Sequence, residues 1–296
     1  MYVFLNGRFV PEEQAVVSVF DRSFLYGDGL FEAVYLFNGK PFRWEQHLER
    51  LRQGSQFFNI RVPYNDQVLT DFVQELIKQN GARDALLRLT LSRGVGIRGY
   101  SPKGAENPLL VMSLHPVPKL DLQRPPNWKL ITSSVVLPAN QPIAQFKTCN
   151  KLAQILARSQ ADEAGADEAL LTNSEGAVVE GASSNLFWIE NEVICTPPLV
   201  AGVLPGVTRA VVLDICRKLG RATREASITP TQLLRAEGVF VSLSTIGLAQ
   251  GVSLDGSALC QSPFLNALWS AYWDLVQKET SESRSQSLAE HCLDPG

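Results

Sequence analysis

Two lysines four residues apart, Lys147 and Lys151, bracket an asparagine in the stretch Gln-Phe-Lys-Thr-Cys-Asn-Lys-Leu-Ala, residues 145–153. Lys147 follows an extended segment, and Lys151 is expected in the first turn of a helix opening near Asn150. A lysine at such a junction can project into a cleft, where desolvation and a neighbouring cation lower its pKa and leave a nucleophilic amine. A lysine on a polar face does none of this, and the spacing alone leaves both readings open. Glu180 ends an apolar strand and precedes a run of small residues, Gly-Ala-Ser-Ser. A carboxylate beside buried surface must be paired or must serve a partner; an exposed turn is the plainer alternative. At Leu204-Pro-Gly-Val-Thr the chain opens a helix with free N–H groups and the Thr208 hydroxyl, which suits an anion such as phosphate or simply caps a helix.

Gly94-Val-Gly-Ile-Arg-Gly99 matches the dinucleotide-binding glycine pattern in letters only. That pattern works when a helix starts at the last glycine and meets the pyrophosphate. Here Tyr100-Ser-Pro-Lys-Gly follows and cannot supply one. The loop instead presents Arg93 and Arg98 at a strand end, a common place for binding residues.

The elements that must position these groups are readable from periodicity. Val3 to Val10 reads as a hairpin turning at Asn6-Gly7. Residues 44–58 and 65–81 carry apolar residues at helical spacing, the second stopping at Gly81. Ala85, Leu87, Leu89 and Leu91 alternate with Arg88, Thr90 and Ser92, so the two sets face opposite sides of a strand. Four prolines in residues 116–126 mark a stiff connector. Beyond it strands alternate with helices, including helices from Gly206 to Gly220 and from Ser262 to Glu279. The division expected is a smaller domain over 1–115, a linker over 116–127, a larger domain over 128–278 and a disordered polar tail over 279–296.

The totals exclude several classes. The 296 residues carry a net charge of −3, a pI of about 5.7 and a mean hydropathy of −0.01, which gives no basic surface for nucleic acid. No apolar run approaches the ~20 residues that span a bilayer, and Met1 to Val10 lacks the form of a signal peptide. Five cysteines, odd in number and without a CxxC, read as reduced thiols in a cytoplasmic protein. Three scattered histidines make a metal centre an unfavoured reading.

Order and spacing tie the separate signals together. Glu180-Gly-Ala-Ser-Ser-Asn185-Leu-Phe187, Ile194-Cys-Thr196 and Leu204-Pro-Gly206-Val-Thr-Arg209 resemble the signature of the class IV aminotransferases. Asp21-Arg-Ser-Phe-Leu-Tyr-Gly-Asp-Gly-Leu-Phe-Glu32 and His47-Leu-Glu-Arg-Leu51 are similar to further blocks of that family, so the resemblance runs from about residue 2 to residue 276. It implies an α+β, two-domain fold type IV enzyme that uses pyridoxal 5'-phosphate (PLP). It implies Lys147, with Asn150 three residues on, as the Schiff-base lysine, and Lys151 at a position where relatives vary. Glu180 is implied beside the pyridine nitrogen. Arg50, Val207 and Thr208 are implied around the phosphate, with Ser244 or Thr245 as a further hydroxyl. Arg98 and Tyr100 are implied as substrate-carboxylate ligands, often across a homodimer interface, and Phe31 stands where a tyrosine often assists. The partners implied are an amino acid, a keto acid and a second copy of the chain.

Within the family the choice lies between transaminases acting on D-amino or branched-chain amino acids by ping-pong chemistry and aminodeoxychorismate lyases. The lyases usually carry threonine immediately after the Phe-Glu pair. Here that residue is Ala33, which favours transamination over pyruvate release. A non-catalytic binding module built on the same fold is the third reading, disfavoured by the presence of Lys147, Glu180 and Arg50.

Overall fold

A computed structural model describes residues 1–281. The first sheet is antiparallel throughout, in the order β2-β1-β6-β5-β3-β4. Its strands are β1 (Tyr2–Leu5), β2 (Arg8–Pro11), β3 (Gly29–Phe37), β4 (Lys40–Pro41), β5 (Ala85–Ser92) and β6 (Leu109–His115). A short helix, α1 (Arg22–Tyr26), precedes β3, and two long ones, α2 (Trp44–Phe58) and α3 (Asp66–Asn80), lie between β4 and β5. Alternation decides which face is covered. Leu30, Val34 and Leu36 of β3 and Leu87, Leu89 and Leu91 of β5 pack with Leu48, Leu51, Val73 and Leu76 of the two helices in one apolar core. The opposite face carries Phe31, Ala33, Arg88 and Thr90, all half-buried.

Residues 116–126 then run without regular structure into a second sheet. Its strands are β7 (Asn127–Leu137), β8 (Glu168–Asn173), β9 (Val178–Gly181), β10 (Asn185–Glu190), β11 (Val193–Thr196), β12 (Thr223–Glu225), β13 (Gly238–Leu243), β14 (Gly247–Leu254) and β15 (Ser257–Ala258). Following hydrogen bonds from β10 through β13, β14, β7 and β8 to β9 leads back to β10, because Asn185 pairs with Glu180. The sheet thus closes on itself, removing two edges, and Glu180 sits at the closure. Outside it pack α4 (Leu152–Glu163), α5 (Val207–Lys218), the short α6 (Pro230–Leu233) and α7 (Phe264–Thr280). Trp269, Tyr272 and Trp273 of α7 join Val211 and Ile215 of α5 and Phe187 and Phe240 of the sheet in a second core.

Several boundaries differ from expectation; β7 already begins at Asn127, inside the linker expected over 116–127, because Asn127 pairs with Gln250 of β14. The helix after Lys147 starts at Leu152, with Lys151 as its N-cap and not in its first turn, because Thr148 and Cys149 are held in extended pairing with β3. The final helix runs to Thr280, past the expected edge at 278, because Thr280 is buried and its hydroxyl donates to the Val276 carbonyl. Residues 282–296 of the expected tail lie outside the described residues.

Candidate active site

The loop carrying Lys147 is stitched to the first sheet. Phe31 N donates to the Lys147 carbonyl at 2.9 Å, Cys149 N donates to Gly29 O at 2.9 Å, and Thr148 bridges to Leu30. Asn150 donates to the Gly27 carbonyl at 3.0 Å. Gly27 has φ +68° and lies so close that a side chain there would meet the Asn150 amide. With the backbone fixed on both sides, the lysine stem projects into a cleft of about 680 Å³. Phe31, Ala33, Lys151, Glu180, Ser244 and Thr245 also line it. Burial, and then the charge of Arg50, lower the Lys147 pKa from 10.5 to about 7, against the pull of Glu32. Its Nζ rests 4.7 Å from the centroid of the Phe31 ring, a cation–π contact in place of a counter-ion. Lys151 is also lowered, by burial opposed by Glu180.

Arg50 and His47 converge on Glu32 in a buried triad. Arg50 Nε and Nη2 donate to the two Glu32 oxygens at 2.8 and 2.6 Å, and Nη1 donates to the Pro205 carbonyl at 3.0 Å. His47 Nδ1 meets Glu32 Oε2 at 2.7 Å. Burial pushes the Glu32 carboxyl up, but Arg50 and His47 outweigh it and hold the pKa at about 2. Burial drives His47 down while Glu32 opposes this. Sequence reading placed Glu32 in a motif and gave it no task. The signal lay in its parity, since it shares a strand face with Leu30, Val34 and Leu36, where a charge must be paired.

Glu180 accepts from Leu204 N at 3.1 Å. Burial raises its pKa, and the Leu204 N–H, Lys151 and Lys147 work in the other direction. A second carboxylate unassigned by sequence reading, Glu168, is fully buried behind the small-residue loop. It accepts from Ser183 N at 3.2 Å, Ser183 Oγ at 2.7 Å and Ser184 Oγ at 2.9 Å. The Gly-Ala-Ser-Ser segment that walls the cleft is thereby shaped from inside.

The start of α5 has no side-chain cap at Gly206, so the first-turn N–H groups keep their capacity for an anion. Gly206 is required there, since a Cβ would overlap the Asn185 side-chain oxygen, while the Asn185 amide donates to Leu204 O at 2.9 Å. Val207 and Thr208 are buried, Thr208 lying against the Tyr272 phenol. The tie from Arg50 to Pro205 brings this turn next to the triad.

Arg98 and Tyr100 are not brought to the cleft of their own chain. Both are exposed, Tyr100 at 88%. Their loop is clamped from beneath by Arg22, which donates to the carbonyls of Gly99, Tyr100 and Ser101 and pairs with Asp28 at 2.7 Å. Arg93, expected to project, is buried instead. It pairs with the same Asp28 at 2.8 Å and donates to the Phe58 and Asn59 carbonyls.

A nucleophilic amine and a carboxylate share the cleft, whose wall at Leu204 leads into the uncapped start of α5. Arg50 is tied to that turn through Pro205 without itself lining the cleft. This set fits the aldehyde, ring nitrogen and phosphate of PLP. Among the described residues no cluster of His, Cys, Asp and Glu could hold a metal. The model of the amino-transferase class IV family matches residues 29–254. A Methanocaldococcus jannaschii protein carrying the name branched-chain-amino-acid aminotransferase is 35% identical over 88% of this chain and 90% of its own. A Bacillus licheniformis D-alanine aminotransferase is 28% identical over 96% and 100%, and a Bacillus subtilis aminodeoxychorismate lyase 28% over 82% and 83%. The structure is similar to that of a branched-chain aminotransferase from Thermoproteus uzoniensis, with TM-score 0.87 and 30% identity over 95% of this chain and 96% of that one. The chain therefore belongs to the class IV aminotransferases, PLP-dependent enzymes of fold type IV.

Proposed function

We propose that the chain is a transaminase that moves the amino group of an α-amino acid, of the D-amino or branched-chain kind, to a keto acid. The observation that carries the reading is the Lys147 amine, with a pKa of about 7, in one cleft with Glu180. Lys147 would hold the aldehyde, Glu180 the ring nitrogen, and Arg50, the Val207 and Thr208 N–H groups and the Ser244 or Thr245 hydroxyl the phosphate. When bound, PLP supplies a carbonyl that links to amines and a ring that takes up the electron pair left at the substrate α-carbon. The residues of the chain do the proton work. Lys147, released when the substrate amine takes its place, accepts the α-proton and returns it one position away; a base poised near neutral pH suits both directions. Glu180, kept close to Lys147 and Lys151 in a desolvated wall, supplies negative charge where the ring nitrogen needs its proton.

The amine gives a direct test. In cofactor-free protein, trace labelling with acetic anhydride across pH should show Lys147 half-reactive near pH 7, against about 10.4 for an unperturbed lysine. A midpoint near 10 would contradict a desolvated amine.

Ala33 in the cleft wall supports transamination over lysis, since no hydroxyl stands there to assist a leaving group. D-Alanine, L-leucine, L-glutamate and aminodeoxychorismate offered in turn decide the matter. The expected result is a keto acid from an amino acid, with parallel double-reciprocal plots. Pyruvate together with p-aminobenzoate from the last compound, and none from the others, would make the chain a lyase.

The same reading assigns the chain to a homodimer. Phe20 and Phe24 are 66% and 67% exposed on the segment whose Arg22 holds the Gly99–Ser101 loop, Ile97 and Tyr100 are 70% and 88% exposed on that loop's side, and Leu152 of α4 is 82% exposed. Large apolar side chains exposed together in this way are characteristic of an interface, and there Arg98 and Tyr100 could serve the partner's cleft. A hydrodynamic mass of one chain would remove this part. The proposal further takes the proline-rich segment as a linker between two domains, and the cysteines 149, 195, 216 and 260, free among the described residues, as fitting the cytoplasm, which cell fractionation checks.

A further inference from the structure

Arg22 opens α1, the five-residue helix that Asp21 caps by accepting from Ser23 N. The residue is 4% exposed and does not line the cleft. Its Nε donates to Asp28 at 2.7 Å. Its two terminal nitrogens donate to three successive carbonyls, Gly99 at 2.9 Å, Tyr100 at 3.0 Å and Ser101 at 3.1 Å. A rigid planar fork that gathers three carbonyls in a row fixes the backbone of that segment, which would otherwise keep its conformational entropy. The loop is built around this side chain. A Cβ on Gly96 would stand 2.8 Å from Ala105 Cβ and 3.3 Å from Arg22 Cδ. Tyr26, at the other end of α1, accepts from Gly99 N at 3.2 Å and meets the Tyr100 ring edge-on, with centroids 5.6 Å apart.

Asp28 is the fixed end of this clamp. Its Oδ2 accepts from both Arg22 and Arg93. Burial pushes its carboxyl up, but Arg93 and Arg22 outweigh burial and lower its pKa. Asp28 also lies between the two residues whose carbonyls hold the reactive-lysine loop. Gly27 O accepts from the Asn150 amide and Gly29 O accepts from Cys149 N. One turn, residues 27–29, therefore carries the Lys147 loop on its backbone and residues 99–101 on its one side chain. Arg98 and Tyr100 stand out exposed from the second of these. A group on a loop binds with an affinity reduced by the fraction of time the loop is elsewhere. A buried guanidinium beneath an exposed arginine and tyrosine removes that loss.

We propose that Arg22 is a positioning residue: it does not meet the substrate, and by locking residues 99–101 to Asp28 it holds Arg98 and Tyr100 in the pose in which they bind. The lysine loop and the substrate-gripping loop are thereby kept in register by a single ion pair. This rests on the proposed function, in which Arg98 and Tyr100 are substrate ligands of the cleft their loop serves.

Arg22→Met in the cofactor-loaded enzyme tests the proposal, since methionine keeps an apolar stem and Asp28 keeps Arg93 as its partner. KM is read for whichever of D-alanine, L-leucine, L-glutamate and aminodeoxychorismate the wild type turns over. R22M should raise that KM by about 10- to 100-fold with kcat within about threefold, the pattern of lost uniform binding. Cofactor absorbance should stay the same. R22K, which can pair with Asp28 but cannot span three carbonyls, should fall between, and it replaces R22M should the latter not fold. In an R98A background R22M should raise KM by less than about threefold, because residues that act as one unit are not additive. Trypsin should cut after Arg98 about tenfold faster in R22M, as the open loop becomes more populated. An unchanged KM in R22M, an effect that multiplies in full with that of R98A, or equal cleavage overturns the proposal. So does an R98A protein with the KM of the wild type. Turnover of aminodeoxychorismate alone would reject the transaminase reading, while a raised KM of R22M for that compound would leave Arg22 standing.

Discussion

Replacing Lys147 by alanine should lower kcat for amino transfer by at least roughly 10⁴-fold, the upper range for loss of a general acid–base, while the protein folds normally. The expectation follows from how the residue is used. Its backbone, not its amine, makes the contacts that hold the loop to β3, and the amine lies 4.7 Å from the centroid of the Phe31 ring. Lys147→Arg should be just as inactive, because a guanidinium stays protonated and cannot act as a base. Lys151→Ala supplies the contrast. That residue lines the cleft, but its place at the N-cap of α4 sets it apart from the strand that fixes Lys147. Its loss should change kcat by less than about tenfold, below the range for loss of a general base. Single-turnover measurement of the amino-acid half-reaction checks all three variants. A Lys147→Ala protein within tenfold of the wild type would remove Lys147 from the mechanism.

Glu32→Ala should be the most destabilising single change near the site. Glu32 is 1% exposed, neutralises Arg50 and bonds His47 Nδ1. Its removal strands the Arg50 cation in an apolar setting, and breaking a buried pair from one side costs about 3–5 kcal/mol. The effect should appear as an equal shift in the unfolding free energy from denaturant titration at neutral pH. The folded carboxyl titrates at about 2 against a reference of 4.5. A depressed carboxylate stabilises above its unfolded pKa and loses that contribution as pH falls through the folded one. The gap between wild type and variant should therefore narrow between pH 4.5 and pH 2. Arg50 would also lose the partner that aims it at Pro205, so PLP retention should weaken. A stability change below about 1 kcal/mol, the scale of an exposed pair, would show that the triad contributes little.

The sequence made strands and helices legible wherever periodicity was clean. The alternation in 85–92 separated Leu87, Leu89 and Leu91 from Arg88 and Thr90, and the structure places the two sets on opposite faces. Gly81 ends α3 in the left-handed conformation, as its position after the apolar stripe suggested. Closure of the second sheet was not legible, because it depends on Asn185 meeting Glu180 across a short loop, a tertiary match without local periodicity. Neither was the start of α4, where pairing of Thr148 with Leu30 overrides the helical pattern of the residues that follow.

The residues of the site divide in the same way. Lys147, Glu180 and Arg50 stood out through motif order. Glu32, which holds the Arg50 side chain, stood in a motif without a task, and Glu168, which holds the serine loop, was visible only as a charge at the head of an apolar strand. Arg93 was read as a loop residue, yet Asp28 draws it inward, a partner 65 positions away in the chain. Such partners are set by the fold, and composition near the residue gives no sign of them.

Reduction of the PLP-loaded protein with borohydride, followed by peptide mapping, tests the central claim most directly. The account predicts cofactor mass on the peptide containing Lys147, with fragmentation placing it on that residue. Cofactor mass on Lys151, or on no lysine of the 145–153 stretch, would contradict it.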